Sequence, residues 1–140
     1  MSPSNCNQLF IYSSLRKGFN KPSFNYISHF FEYIAPAKVK GILCKTGNDP
    51  VAIPNETHFI KGELYRLKNE NDFSWVFGQL DEYEGLDVEP GEKPLFRREL
   101  TAAYPDNLTE TNAWIYWYNA EINDMPVISS GDILQPLERI

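Results

Sequence analysis

Apolar residues recur at helical spacing over residues 73–86, which read FSWVFGQLDEYEGL. The apolar positions follow the i, i+3, i+4, i+7 pattern of an amphipathic helix: Phe73, Val76, Phe77, Leu80 and Tyr83. Asn71 and Asp72 precede this segment and can accept hydrogen bonds from its first N–H groups. Gly85 stands where a helix commonly ends, because glycine enters the left-handed region without steric cost.

Three acids near the end of this predicted helix face different ways. At about 100° per residue, Glu82 projects away from the apolar face, Asp81 lies on its boundary and Glu84 falls within it. An ionised carboxylate without partners is expensive to bury. One interpretation is structural: Glu84 turns outward or pairs with a basic residue such as Arg97 or Arg98. The other is that Glu84 is a general acid/base, in which case burial raises the pKa of its carboxyl group toward the working pH.

Short apolar segments predict strands elsewhere in the chain, at residues 8–12, 35–45, 59–67, 96–103 and 113–119. Residues 50–53 are predicted to be briefly extended between turns at 46–49 and 54–55. The first strand ends in SSLRKG, and a turn of small residues can direct successive backbone N–H groups at an anion. Gly41 inside the second strand indicates a bulge or a close approach of two backbones.

A second helical pattern covers residues 22–34, and its apolar positions are Phe24, Ile27, Phe30, Phe31 and Ile34. The strand at 113–119 is the most aromatic in the chain, with Trp114, Tyr116 and Tyr118 on one face and Ile115 and Trp117 on the other. Both faces must meet apolar partners. We therefore expect an α+β fold in which a small closed or strongly curled sheet has helices packed against it.

Length and composition favour one domain spanning residues 1–140, with a tail of weak patterning from 120 to 140. The net charge of −6 and the lack of a Lys/Arg cluster argue against a nucleic-acid partner. The N-terminus lacks the pattern of a signal peptide, and no apolar run reaches membrane-spanning length, so we expect a cytoplasmic protein.

Cysteine and histidine give no indication of a metal site or of a disulfide. Cys6 and Cys44 share no motif spacing, and two free thiols are the default in a cytoplasmic chain. His29 and His58 are far apart, and their neighbours do not have metal-ligand spacing. The spacing of these residues therefore predicts no metal site.

Five short motifs occur in an order that resembles the γ-glutamylcyclotransferase-like family, including its γ-glutamylamine cyclotransferase and AIG2-like branch. They are Tyr-x-Ser-Leu-Arg after the first strand, Gly-Glu-Leu-Tyr, LDxYEG, an aromatic residue before Arg-Arg, and Tyr-x-Tyr. The resemblance runs from about residue 9 to residue 119. It implies a small mixed β-barrel with flanking helices, and an enzyme that needs no cofactor or metal.

The activity that the resemblance implies is cyclisation of a γ-glutamyl amine or peptide to 5-oxoproline, with release of the amine or peptide. The family's catalytic glutamate precedes the glycine of LDxYEG and corresponds to Glu84. The family's substrate-binding loop corresponds to Tyr12, Ser13, Ser14 and Leu15, and its pocket tyrosine to Tyr116. Tyr116 also has a purely structural interpretation, as a core aromatic residue with its hydroxyl at the surface.

The chain departs from the family pattern at two positions. Ser13 stands where the family usually has glycine, which tolerates backbone conformations that serine does not. Phe96 stands where tyrosine is usual, so a hydroxyl is lost there. Ser13 supports an alternative, a non-catalytic module of the same fold that binds a γ-glutamyl or other carboxylate compound. A small hydrolase or lyase that uses the same acid is the remaining alternative.

Overall fold

A computed structural model describes residues 6–12, 29–46, 49–83, 86, 89–94, 96–106, 108–120, 122 and 125–128. Its strands are β1 (Gln8–Ile11), β2 (Phe31–Thr46), β3 (Asp49–Leu67), β4 (Phe96–Pro105) and β5 (Thr111–Tyr118). A 3-10 turn at Glu70–Asp72 leads into helix α1 (Phe73–Tyr83). The strands close into a barrel in the order β1-β3-β2-β4-β5. β1 runs parallel to β5, and the other neighbouring strands are antiparallel, which confirms the predicted mixed β-barrel with a helix against it.

The alternation of side chains along each strand divides the core into two clusters. The barrel interior is filled by residues such as Phe10, Val39, Ile60, Leu64, Ile115 and Trp117. The outer cluster lies between the barrel wall and α1, and contains Leu9, Ile11, Phe31, Tyr65, Leu67, Val76, Phe77, Leu80 and Tyr116. Because both faces of β1 and of β5 are covered, these strands carry apolar residues at consecutive positions.

Helix α1 forms much as its periodicity predicts, with Val76, Phe77 and Leu80 buried and Glu82 exposed. The cap differs from the prediction. The side chain of Asn69 accepts a hydrogen bond from the Asn71 N–H and so begins the 3-10 turn that precedes the helix.

The predicted helix at residues 22–34 is wrong from Phe31 onward. Residues 29–30 are helical, but Phe31 begins β2 and pairs with Leu67 of β3. The ring of Phe31 then meets Phe77 of α1 edge-on, with the ring centroids 5.8 Å apart. Pairing with a distant strand thus overrides the local pattern here, and residues 22–28 lie outside the described part of the chain.

The segments predicted at 50–53 and 59–67 belong to one strand, β3, rather than to two. The register of β2 with β3 shifts between Lys40 and Gly41, where residues 55–58 bulge out of the ladder. The Asn55 side chain accepts hydrogen bonds from the N–H groups of Thr57 and His58, so a local turn is present at the predicted position 54–55 within β3. At Gly41 a Cβ atom would lie 2.8 Å from the Ile53 carbonyl oxygen, which confirms the close approach.

Candidate active site

The candidate site lies on the outer face of the barrel, where β1 ends. Ile11, the last residue of β1, pairs with Glu63 of β3. Leu9 pairs with Trp114 of β5 in parallel register, which brings Ile11 beside Tyr116 two residues further along. Tyr116 in turn pairs with Arg98 of β4. The face that α1 covers is therefore apolar along most of its length. It ends in a row of neighbouring strand residues that includes three polar side chains, those of Glu63, Tyr116 and Arg98.

Asp81, near the C-terminal end of α1, binds two members of this row. Its Oδ1 atom accepts a hydrogen bond of 2.8 Å from Arg98 Nε, and its Oδ2 atom accepts one of 3.1 Å from Arg98 Nη2. The Tyr116 hydroxyl also donates to Asp81 Oδ1, at 2.7 Å. The boundary position that the sequence predicts for Asp81 thus places its carboxylate between the helix and the barrel.

Aromatic rings also lie close to the Arg98 guanidinium. Its central carbon is 4.5 Å from the centre of the Trp114 ring and 5.1 Å from that of Phe77. A cation at such a distance is attracted to the ring, and this attraction adds to the bidentate ion pair. Arg98 is therefore fixed in position by contacts on several sides.

Tyr12 links the end of β1 to the same network. Its ring is buried in the barrel interior, and its hydroxyl donates a hydrogen bond of 2.5 Å to the backbone carbonyl of Tyr116. Two of the predicted site residues, Tyr12 and Tyr116, are thereby joined directly. The Tyr116 side chain is buried in the outer cluster, and its hydroxyl is bonded to a carboxylate.

The other predicted site residues, Ser13, Ser14, Leu15 and Glu84, lie outside the described residues. Their neighbours in sequence are described. Tyr12 immediately precedes Ser13, and Asp81 precedes Glu84 by three residues. The Leu86 N–H donates a 2.9 Å hydrogen bond to the Asp81 carbonyl.

Glu63 is a feature of this region to which sequence reasoning assigned no role. The residue is only 4% exposed, and one carboxylate oxygen accepts a 2.8 Å hydrogen bond from the Tyr65 hydroxyl. The signal was present in the sequence, because alternation along residues 59–67 puts Glu63 on the same face as Tyr65 and Leu67. A buried carboxylate thus lies on β3 directly opposite Ile11, the last residue of β1.

Other features of the described residues do not add to this site. A groove of about 210 Å³ lies between β3 and β4, and residues such as Lys40, Glu56 and Tyr104 line it. Within the described ranges, no group of three His, Cys, Asp or Glu side chains is arranged to hold a metal ion. None of the helices in those ranges has the length and apolar character that a membrane span requires.

Comparison with solved structures shows the same fold in several proteins of low identity. The protein YkqA from Bacillus subtilis matches with a TM-score of 0.64 and 23% identity over 90% of this chain, which spans 39% of the length of that protein. The protein ytfP from Escherichia coli matches with a TM-score of 0.63 and 23% identity, covering 91% of this chain and 96% of its own. An AIG2-like protein from mouse matches with a TM-score of 0.62 and 18% identity, over 86% and 84% of the two chains.

A comparison with curated proteins gives no match. Comparison with protein families does give one, to the family described as gamma-glutamyl cyclotransferase, AIG2-like, over residues 9–135. This match begins at the second residue of β1, includes α1 and the other four strands, and covers most of the chain. The chain therefore belongs to the gamma-glutamyl cyclotransferase, AIG2-like family.

Proposed function

We propose that this protein converts a γ-glutamyl amine or γ-glutamyl peptide into 5-oxoproline and the free amine or peptide, with Glu84 as general acid/base. The observation that supports this most is the chain of hydrogen bonds from Tyr12 through Tyr116 to Asp81. These contacts bring together the end of β1, the late aromatic strand and the end of α1. Three described residues of the motifs that resemble the family's catalytic parts, Tyr12, Asp81 and Tyr116, are therefore linked by hydrogen bonds, which supports the proposal.

The reaction needs few groups and consumes no water. The α-ammonium of the substrate loses one proton before its nitrogen attacks the γ-carbonyl carbon to close a five-membered ring, and that nitrogen loses a second proton as the ring amide forms. The bond from the γ-carbonyl carbon to the leaving nitrogen breaks, and the departing nitrogen takes up both protons and leaves as an ammonium. Glu84 would accept each proton from the attacking nitrogen and donate it to the departing one, so the carboxylate is regenerated in each cycle.

The loop that follows β1 would hold the substrate. Backbone N–H groups of residues 12–15 would bind the α-carboxylate or stabilise the negative charge that develops on the γ-carbonyl oxygen. Much of the acceleration would come from holding the substrate bent toward ring closure, because orienting two reacting groups removes an entropic cost. Tyr12, which immediately precedes residues 13–15 in the sequence, is anchored to the β5 backbone through its hydroxyl.

Tyr116 would line the pocket, and its hydrogen bond to Asp81 determines how it acts. A phenol has one proton to donate, and here Asp81 receives it. Toward a substrate the hydroxyl oxygen would therefore act as an acceptor, which suits the α-ammonium better than the carboxylate.

A non-catalytic binding module is the second candidate, favoured by Ser13 in place of the usual glycine. The two candidates are separated by incubating the protein with a panel of γ-glutamyl amines and γ-glutamyl dipeptides and measuring 5-oxoproline by mass spectrometry. Calorimetric titration with 5-oxoproline and with each substrate is run alongside. Release of 5-oxoproline supports the enzyme, whereas binding without release supports the module. If the protein neither releases 5-oxoproline nor binds any of these compounds, both candidates are contradicted.

A further inference from the structure

The ion pair between Asp81 and Arg98 differs from the other ion pairs among the described residues. It is bidentate, and its side chains are only 22% and 19% exposed. The neighbouring pair of Arg97 with Glu99 has one contact, of 2.7 Å, between side chains that are 37% and 49% exposed. Exposed pairs of that kind contribute little to stability, while a bidentate and partly buried pair fixes a geometry.

Asp81 also makes contacts in three directions from a single position. Its carboxylate reaches Arg98 on β4 and the Tyr116 hydroxyl on β5. Its backbone carbonyl accepts the hydrogen bond from the Leu86 N–H, beyond the end of α1. The Leu86 side chain packs against the outer apolar cluster. Asp81 thus binds the barrel through its side chain and Leu86 through its backbone carbonyl.

We propose that Asp81 is a positioning residue of the active site. Its carboxylate fixes the last turn of α1 against β4 and β5, and so sets where the following residues, including Glu84, stand relative to the end of β1. This inference rests on the proposed function, because it assigns Asp81 a role through Glu84. A displacement of about 1 Å in a catalytic group can lower the rate by about 100-fold, so a fixed helix end matters for turnover.

The test compares Asp81→Asn with a matched control on β4, Glu99→Gln. Each variant exchanges a carboxylate for an amide of the same shape, and each removes the charge from one arginine pair. For Asp81→Asn, kcat for 5-oxoproline release should fall at least about 10-fold, because misplacement of a catalytic group acts on the chemical step. For Glu99→Gln, kcat and KM should both stay within about 2-fold, since an exposed pair contributes little.

A second comparison separates positioning from a general effect on the protein. If Asp81 acts through Glu84, then Asp81→Asn should cause no further loss of activity in a Glu84→Gln background, because coupled residues are not additive. An equal loss in both backgrounds would overturn the proposal.

Hydrogen exchange gives a readout that does not depend on activity. Asp81→Asn should speed exchange of the Leu86 amide at least about 10-fold, because a loosened helix end opens more often. Exchange of the Ile60 amide, in the middle of β3, should not change. Where Asp81→Asn does not fold, Arg98→Lys takes its place, since lysine keeps the charge and loses the bidentate fork.

The outcomes distinguish this inference from the proposed function. If the wild-type protein releases no 5-oxoproline, the proposed function fails, and exchange at Leu86 alone then decides whether Asp81 fixes the helix end. Unchanged exchange at Leu86 would overturn the positioning role, whatever the activity. Faster exchange at Leu86 together with unchanged kcat would also overturn it, because the helix end would then move without consequence for the reaction.

Discussion

Gly62, in the Gly-Glu-Leu-Tyr motif, is predicted to tolerate no side chain. An added Cβ atom would lie 2.3 Å from the Ile11 carbonyl oxygen and 2.7 Å from the Phe10 ring carbon Cζ. The ring can shift, but the carbonyl belongs to the backbone of β1, which is paired with β3 on one side and with β5 on the other. Gly62→Ala must therefore displace the strand whose end leads into the predicted substrate loop.

The size of the effect follows from two opposing terms. Overpacking of this kind costs about 1–3 kcal/mol, and the upper end applies because the nearest atom is backbone. The loss of conformational freedom in the unfolded chain offsets about 0.4–1 kcal/mol of that cost. The free energy of unfolding should thus fall by about 2–3 kcal/mol, which for a chain of this size lowers Tm by about 6–9 °C.

Gly78→Ala is the matched control, and calorimetry of the two variants is the assay. Gly78 lies on the exposed side of α1, and an added Cβ atom there would meet no atom within 4 Å. Alanine is better than glycine in a helix interior by about 1 kcal/mol, so this variant should raise Tm by about 3 °C. A Tm for Gly62→Ala at or above that of the wild type would refute the packing argument.

Three further predictions concern stability and reactivity. Leu80→Ala should lower the free energy of unfolding by about 2–5 kcal/mol in urea titrations, because it opens a cavity under α1. Glu32→Gln should change it by less than about 1 kcal/mol in the same titrations, since the pair with Arg66 is exposed. Burial raises the pKa of the Cys44 thiol above its ordinary value, so Cys44 should react with a thiol reagent only on unfolding. Because the unfolded thiol ionises first, the free energy of unfolding should fall as the pH rises above about 8.5, which pH-dependent melting measures.

Much of the fold could be predicted from local pattern. The periodicity of α1 and the two apolar faces of β5 depend on residues close together in sequence, and both are present in the structure. The helix predicted at residues 22–34 failed at Phe31 because its apolar residues also fit a strand. Phe31 packs in the outer cluster and Ile34 against the barrel interior, an arrangement set by pairing with Leu67 and its neighbours more than thirty residues away.

The candidate site was harder to predict, because its contacts join distant elements. The sequence offered Arg98 as a partner for Glu84, and among the described residues the Arg98 side chain binds Asp81, one turn before Glu84. Helical geometry placed Asp81 at the edge of the apolar face and could not show that Arg98 and Tyr116 of neighbouring strands meet it there. The burial of Glu63 could not be predicted for a related reason. A single acid in an alternating strand is buried only if another element packs on that face of the strand, and the sequence does not show which face is packed.

Glu84→Gln tests the central proposal most directly, because it keeps size and shape and removes only the ability to exchange a proton. The exposed neighbour Glu82 provides the control variant, Glu82→Gln. The assay measures 5-oxoproline release from a γ-glutamyl amine together with Tm for the wild type and both variants. Glu82→Gln should leave both quantities unchanged.

If Glu84 is the general acid/base, Glu84→Gln should lower 5-oxoproline release by at least about 100-fold. Tm should stay the same or rise slightly, because the cost of burying a charge is removed. If Glu84 instead anchors a buried ion pair, the swap should destabilise the fold by about 3 kcal/mol or more. A large fall in Tm, with 5-oxoproline release by the folded fraction close to that of the wild type, would contradict the proposal.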